Sequence, residues 1–235
     1  MYLFNYGCSK NIKGNIRFIS RGVQMKKLIN IFISFSLAIF IISGSAILGL
    51  KCKSLYYYDV KNLNISAISG FSEEEIKLNY DYLIDYNLNK NVGEFHLPTI
   101  KYSKEGKIHF QEVRNIFQMI KKIFYVSGVI SILGIIFSIK NKNIKFLNTS
   151  SVITILLPII TAIPLVINFN YFFIKSHETV FSNDYWIFDP NIDPVIDILP
   201  EDVFFHIGIL ILAIVLIMSI LLQISYRVLN KKLNK

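Results

Sequence analysis

The sequence lacks the short motifs by which many enzymes are identified. It has two cysteines and one tryptophan. It contains no CxxC pair, no HExxH zinc motif, no phosphate-binding loop of the Walker type and no serine nucleophile elbow. Each of these motifs places specific side chains at a spacing that its chemistry requires. Their absence removes the usual signals for thiol redox, zinc protease, nucleotide-dependent and serine hydrolase activity.

Charge is also scarce, and apolar residues are abundant. Charged residues make up 17% of the chain and hydrophobic residues 53%, and the mean hydropathy is +0.47. The apolar residues are concentrated in long uncharged runs, which is typical of membrane spans and not of amphipathic soluble helices. The composition therefore indicates an integral membrane protein.

Four apolar runs are long enough to cross a bilayer. We expect spans over residues 28–50, 123–139, 152–174 and 203–226. The third contains Pro158 and Pro164, which are tolerated in membrane helices packed against neighbours, so we expect a kink there. Four spans place both termini on the same side of the membrane.

The distribution of positive charge predicts which side that is. Residues 1–27, the 140–151 loop and the 227–235 tail carry Lys and Arg but no acidic residue, whereas 51–122 is mixed and 175–202 is mostly acidic. Cytoplasmic segments retain positive charge, so we expect the first three inside and the last two outside, as an extracytoplasmic cap. Met25-Lys26-Lys27 resembles an ordinary start, so we expect residues 1–24 to be a dispensable leader.

The predicted cap combines helix and strand. Ser72 and Glu75 form a capping box ahead of an amphipathic helix at 73–89. The tyrosine-rich stretch 56–60 suggests a short strand, and 94–102 with 107–110 suggests a hairpin. The fold class predicted is a mainly α membrane protein, a four-transmembrane-helix bundle with a small α/β extracytoplasmic cap.

Histidines are the main candidates for chemistry at the cap–membrane boundary. His109 precedes the second span and His177 follows the third. An imidazole takes and returns protons near neutral pH, although a single interfacial histidine is more often a solvated polar residue. We expect His206 to hydrogen-bond neighbouring spans and His96 to lie on the cap surface. A zinc site of His109, His177 and Glu112 is an alternative that no ligand spacing supports.

Two further features leave alternatives open. Cys52 lies between Lys51 and Lys53, which favours thiolate chemistry, but no base is near it in sequence and a residue without a role is the better interpretation. Aromatic residues of the outer segments form an interfacial belt by default, and if they wall a pocket it would suit acyl chains. They are Tyr80, Tyr86, Phe181, Tyr185, Trp186 and Phe188.

Taken in order, these motifs resemble those of the bacterial lipoprotein intramolecular transacylase family. The resemblance covers about residues 25–226 and is carried by Asn79-Tyr80, Leu83-Ile84, Tyr86, the run from His109 to Val113, His177, Phe181, Trp186, Asp189-Pro190, Asp193 and Leu199-Pro200-Glu201. Glu112 departs from it, because an aspartate is more usual at that place.

The resemblance implies a function and a set of site residues. It implies transfer of the sn-2 acyl chain of a diacylglyceryl lipoprotein to the amino group of its own N-terminal cysteine, which gives a lyso-form lipoprotein. His109 and His177 would be catalytic, in the bacterial cytoplasmic membrane and at its extracytoplasmic face. The supporting or pocket residues would be Asn79, Tyr80, Tyr86, Glu112, Phe181, Trp186, Asp189 and Asp193.

The partners implied are diacylated lipoproteins and phospholipids, without nucleic acid, cofactor or metal. Two other functions stay open on the sequence. One is an intermolecular acyltransferase that uses Cys52 as an acyl carrier. The other is a non-catalytic membrane protein whose cap binds lipid or a protein partner.

The predicted topology is tested by cysteine labelling. In a chain whose Cys8 and Cys52 are replaced by serine, Asn91→Cys and Asn183→Cys should react with a membrane-impermeant maleimide in intact cells, because both positions are expected outside. A cysteine at Lys142 is the control and should react only after lysis. Protection of both outer positions in intact cells would contradict the topology.

Overall fold

The computed structural model describes residues 5–89 and 93–234, and the described chain is mainly helical. The helices are α1 (Asn5–Lys51), α2 (Lys53–Asn62), α3 (Ile65–Ser69), α4 (Glu73–Leu88), α5 (Lys104–Lys140), α6 (Lys145–Ile167), α7 (Phe169–Val180) and α8 (Glu201–Leu233), with a short 3-10 helix at Pro194–Ile198. The labelling site Asn91 and the first four residues of the expected leader lie outside the described residues.

Among the described residues, four helices are long and apolar enough to cross a membrane, which confirms the prediction of four spans. They are Val23–Lys51 in α1, all of α5, Lys145–Pro164 in α6 and all of α8. Large apolar side chains such as Val129 and Ile160 are exposed on their outer faces, as expected of surfaces that contact lipid. The helices are longer than the apolar runs, since polar residues on either side of each run are also helical.

The first helix is the centre of the bundle, since α5, α6 and α8 all pack against α1. Small residues allow these close approaches. A Cβ added at Gly49 would lie 2.5 Å from a side-chain carbon of Ile211 on α8. Ser36 donates a hydrogen bond to the Ser127 carbonyl of α5 at 3.1 Å. Such small and hydroxyl residues stabilise helix contacts where lipid supplies no hydrophobic driving force.

The cap has its own core, in which aliphatic side chains pack around buried aromatic rings. The predicted helix at 73–89 is confirmed as α4, and the Ser72–Glu75 capping box is formed. Tyr80 of this helix stacks on Tyr56 of α2, with ring centroids 3.6 Å apart. The Tyr56 hydroxyl donates to the Ile198 carbonyl at 2.7 Å. Burial, reinforced by the neighbouring Tyr80, raises the pKa of the Tyr56 phenol, so it remains a donor.

The strand predicted at 56–60 is wrong, because these residues belong to α2. Tyr56 and Val60, four positions apart, are both fully buried, whereas Tyr58 is exposed. That spacing is helical. Five residues with three consecutive tyrosines fit both the 3.6-residue period of a helix and the two-residue period of a strand. Packing against α4 stabilises the helix.

The hairpin predicted from 94–102 and 107–110 is also wrong. The described residues 93–103 are irregular, and Lys104 begins α5. The Ser103 hydroxyl accepts a hydrogen bond from the Gly106 amide at 2.8 Å, so it caps that helix. Residues 104–107, which the sequence suggests as the hairpin turn, form the first turn of α5. No strand occurs in the parts of the cap that the structure describes, so its α/β character is not found.

The third apolar run is divided between two helices. Both Pro158 and Pro164 lie inside α6, and the helix ends at Ile167. Asn168 then caps α7, since its side-chain oxygen accepts from the Tyr171 amide at 3.1 Å. The break, four residues after Pro164, separates the span from a short aromatic helix at the cap.

Side chains of α5 fasten the cap to the bundle. Gln118 donates to the Asn87 carbonyl at 2.8 Å, Arg114 donates to the Asn89 carbonyl at 2.9 Å, and Lys121 donates to the Leu88 carbonyl. These carbonyls lie at the C-terminal end of α4 and have no partner within the helix. Cations there also interact favourably with the helix dipole.

The buried Tyr56 hydrogen bond gives a stability prediction. Tyr56→Phe should lower the free energy of unfolding by about 1–3 kcal/mol, because the Ile198 carbonyl loses its buried partner. The melting temperature in detergent, followed by fluorescence, measures the change. Tyr58→Phe is the control, because Tyr58 is 63% exposed. Equal losses in the two variants would show that the buried hydrogen bond does not stabilise the cap.

Candidate active site

A cavity of about 650 Å³ lies where the cap meets the helix bundle. Residues of α4, α5, α7 and α8 line it, together with Leu50 of α1, Ile196 of the 3-10 helix and the segments on either side of that helix. The apolar lining includes Leu50, Leu83, Ile84, Val113, Phe117, Ile174, Leu199, Val203, Phe204 and Ile207. Its volume is in the range of sites for small molecules and lipids.

The two histidines predicted as a pair both line this cavity. His109 is buried on the second turn of α5, and His177 lies on α7, 68 positions later. Their ring centroids are 6.3 Å apart. The two imidazoles are therefore close neighbours, although they come from different helices.

The orientation of His177 is set by its own helix. Its Nδ1 lies 2.8 Å from the Phe173 carbonyl, one turn earlier on α7. A carbonyl oxygen only accepts, so Nδ1 carries the proton of the neutral ring and Nε2 has a free lone pair. The Phe173 and Trp186 rings lie 4.3 and 5.1 Å from the imidazole. The Phe173 carbonyl thus fixes the tautomer of His177, in which Nε2 is the basic nitrogen.

His109 is surrounded by aromatic rings. Phe181 and Phe188 meet its imidazole edge to face at 4.8 and 5.4 Å. Its Nδ1 is buried without a hydrogen-bond partner among the described residues. With Trp186, these rings form an aromatic wall over the two histidines.

A polar contact holds this wall against α5. The Asn183 side chain, between Phe181 and Trp186, donates to Oε1 of Glu112 at 2.8 Å. Glu112 lies one turn after His109, and its Oε2 is buried with no partner in the described chain. Glu112 does not line the cavity, so its contact with the site runs through the wall segment.

The other predicted supporting residues separate into two groups. Tyr80, Phe181 and Trp186 line the cavity, whereas Asn79 and Tyr86 lie in the cap beside it. Asn79 donates to the Thr99 hydroxyl at 2.6 Å and accepts from backbone amides of the 99–100 segment. Tyr86 packs under the Arg114 guanidinium, 4.5 Å from its ring centroid.

Asp189 and Asp193 also lie away from the cavity lining. Asp189 accepts from the Asn191 amide at 2.9 Å and shapes the turn that follows the aromatic wall. Asp193 accepts from the Ser103 amide at 2.6 Å, so it joins the segment before the 3-10 helix to the N-terminus of α5. Both contacts order backbone around the site.

The remaining histidines and Cys52 do not line the cavity. His206 bonds Asp59 of the cap helix α2 at 2.9 Å, and not a neighbouring span as predicted. His96 contacts the Tyr102 hydroxyl at 3.1 Å. Cys52 is half-buried, with its sulfur 3.4 Å from the Ser54 hydroxyl. Across residues 5–89 and 93–234, no three His, Cys, Asp or Glu side chains converge as metal ligands would.

Sequence reasoning missed three residues that shape the site. Phe173 holds His177, Asn183 holds Glu112, and Glu201 lines the cavity. The spacing from Phe173 to His177 is one helical turn, so recognition of α7 as a helix would have paired them. Asn183 acts across the fold and leaves no local signal. Glu201 is one of the residues that carry the family resemblance, but no feature of the sequence assigns it a role in the site.

Fold and site together define an integral membrane protein with a mostly apolar cavity at one end of a four-helix bundle and two neighbouring imidazoles in its lining. The sequence profile described as "Lipoprotein intramolecular transacylase Lit" matches residues 31–205. The chain belongs to this family and is therefore an acyltransferase that acts in lipoprotein modification.

Solved structures of the membrane-integral lipoprotein intramolecular transacylase Lit from Bacillus cereus are similar to the chain. One is 41% identical, covers 90% of this chain and 98% of its own, and has a TM-score of 0.86. Variants with a histidine replaced by arginine or alanine are 39% and 40% identical, with TM-scores of 0.86 and 0.85. Each covers 94% of this chain, and 98% and 99% of its own respectively. No curated protein sequence matches.

The position of Cys52 gives a prediction about mechanism. Cys52→Ser should leave acyl transfer within about twofold of the parent, since direct transfer needs no thiol and Cys52 does not line the cavity. Conversion of a diacylated lipopeptide, measured by mass spectrometry, gives the rate. Complete loss in a variant that keeps the parental melting temperature would instead favour the intermolecular acyl-carrier mechanism.

Proposed function

We propose that the protein moves the sn-2 acyl chain of a diacylglyceryl lipoprotein to the α-amino group of its own N-terminal cysteine, with His109 and His177 as the acid–base pair. One observation carries this proposal. The two imidazoles, from different helices, lie 6.3 Å apart in a cavity with mostly apolar walls. The product is a lyso-form lipoprotein.

The reaction balances without a cofactor. The amine nitrogen forms a bond to the acyl carbonyl carbon, and the bond from that carbon to the glyceryl oxygen breaks. The ammonium form of the amine loses two of its three protons and keeps one as the amide N–H. One of the two lost protons ends on the glyceryl oxygen, which becomes a hydroxyl, and the other is released to water. An α-amino group has a pKa of about 8, so an imidazole removes its proton at modest cost, and a second imidazole protonates the departing oxygen.

The hydrogen bond of His177 supports an assignment of roles. Because its Nδ1 donates to the Phe173 carbonyl, the lone pair on Nε2 is free to accept a proton from the substrate amine. We assign His177 as the base and His109 as the group that protonates the glyceryl oxygen. Phe173 and the rings around His109 hold both imidazoles in place.

The cavity walls supply the second part of catalysis. Donor and acceptor belong to one molecule, so a site that confines them gains effective molarity. Phe181, Trp186 and Phe188 surround the histidines with apolar surface, which keeps water from competing for the ester. The surrounding aliphatic and aromatic lining suits the acyl chains of the substrate and of membrane phospholipids.

We further propose that the cap is extracytoplasmic and both termini are cytoplasmic. The domain limits are those expected from the sequence, except that the third span ends before Asn168. The charge distribution supports this orientation, since the 140–151 loop and the C-terminal tail are basic. In this orientation the diacylglyceryl groups of lipoproteins enter the cavity from the outer leaflet of the membrane. No second function is favoured by a specific contact.

The histidine pair is tested by alanine substitution. His109→Ala or His177→Ala should each lower the rate of lyso-form production by about 10²–10⁴. The double variant should lose less than the product of the two factors, since the imidazoles act as a unit. Mass spectrometry of a lipopeptide incubated with purified protein measures the rate.

His96→Ala is the matched control and should stay within about threefold of the parent, because His96 does not line the cavity. Yield and melting temperature of each variant separate lost chemistry from lost folding. A double alanine variant that makes the lyso-form at the parental rate would overturn the mechanism.

A further inference from the structure

Glu201 is the acidic member of the cavity lining. The other titratable side chains among the described lining residues are His109, His177 and Tyr80. Glu201 is exposed at the start of α8, directly after Pro200. A carboxylate at the edge of an apolar cavity is an attractive site for a cation that enters it.

The carboxylate is held on the same side of the cavity as His177. Asn170 of α7 donates to Oε1 of Glu201 at 2.7 Å. Asn170 lies seven residues before His177, so both are on one face of α7. One turn further along α8, the Phe204 ring contacts Phe173, which in turn packs on His177. Asn170, which holds Glu201, is therefore two helical turns from the proposed base.

Other charged groups near Glu201 leave its charge available. Lys175 of α7 pairs with Glu178, and the acids Asp197 and Asp202 flank the start of α8. In the described chain no Lys or Arg forms a salt bridge with Glu201. Asn170 is neutral, so it orients the carboxylate without compensating its charge.

We propose that Glu201 is a positioning residue that receives the α-ammonium group of the substrate's N-terminal cysteine and selects lipoproteins whose amine is free. This rests on the proposed function. The ammonium is the cation that such a substrate brings to an apolar cavity. Pairing with Glu201 holds the ammonium at the edge of the cavity. The ammonium then leaves the carboxylate and moves along α7 to His177, which removes a proton so that the neutral amine attacks the ester.

The same contact favours release of the product. After transfer the nitrogen is an amide, which carries no charge, so Glu201 loses its partner. A lipoprotein that is already N-acylated has no ammonium group, so it also binds without a contact to Glu201. Glu201 thus gives the cavity a preference for substrate over product that its apolar walls do not provide.

A binding experiment tests this without turnover. The probes are two lipopeptides with brominated alkyl chains in ether linkage to the glyceryl group, which have no acyl ester to transfer, one with a free amine and one N-acetylated. Trp186 is the chain's single tryptophan and lines the cavity, so bromine quenching of its fluorescence reports occupancy. The full-length protein in nanodiscs is titrated with each probe.

At pH 6.5 the parent should bind the free amine about three- to tenfold more tightly than the N-acetyl probe. Glu201→Gln should abolish this preference, and Glu201→Asp should restore part of it. Asp202→Asn is the matched control and should keep the preference, because Asp202 is the adjacent acid and does not line the cavity. In the parent, the preference should disappear at pH 9.5, where the substrate amine is neutral.

The outcomes separate this inference from the proposed function. Quenching by both probes with equal affinity in the parent, or an unchanged preference in Glu201→Gln, would overturn the role of Glu201 while the transacylase proposal stands. A parent that converts no diacyl ester lipopeptide, although it is folded, would overturn the proposed function itself.

Discussion

The site depends on the continuity of one helix. A backbone that enters a membrane must satisfy its hydrogen bonds internally, so α5 runs without interruption from Ser103 in the cap to the far end of its span. His109 lies on the second turn of this helix and is therefore fixed relative to both cap and bundle. Donors lower on α5, including Gln118, hold the end of α4 and with it the lining residue Tyr80. The cap, the bundle and the cavity are therefore all connected through α5.

The opposite wall is assembled from a different kind of structure. After α7 the chain has no long helix until Glu201, and residues 181–193 are ordered by polar contacts instead. Asn183 bonds Glu112 of α5, and Asp193 bonds the backbone at the start of α5. Both contacts tie the irregular segment to the helix that carries His109. Phe181 and Trp186 are thereby held over the histidines, although they lie on a loop.

The sequence predicts the parts of this fold that depend on long patterns. Apolar runs identify the four spans, and the Ser72–Glu75 capping box with its apolar face identifies α4. Short patterns are less informative, because residues 56–60 fit strand and helix equally until Tyr56 meets Tyr80. The pairing of His109 with His177 is predicted from their places beside different spans together with the family resemblance. The contacts of Asn183 and Glu201 join residues far apart in sequence, so only the folded chain brings them together.

The arrangement also accounts for the missing nucleophile motifs. In the proposed reaction the attacking nitrogen belongs to the substrate, so the protein needs to move protons, exclude water and orient two groups of one molecule. Water is the competing nucleophile, and it would convert the ester to a free fatty acid if the cavity were polar. The lining is mostly apolar, and its polar groups are few. Such a site gains selectivity for the amine by excluding water, which is why apolar and aromatic residues form most of its surface.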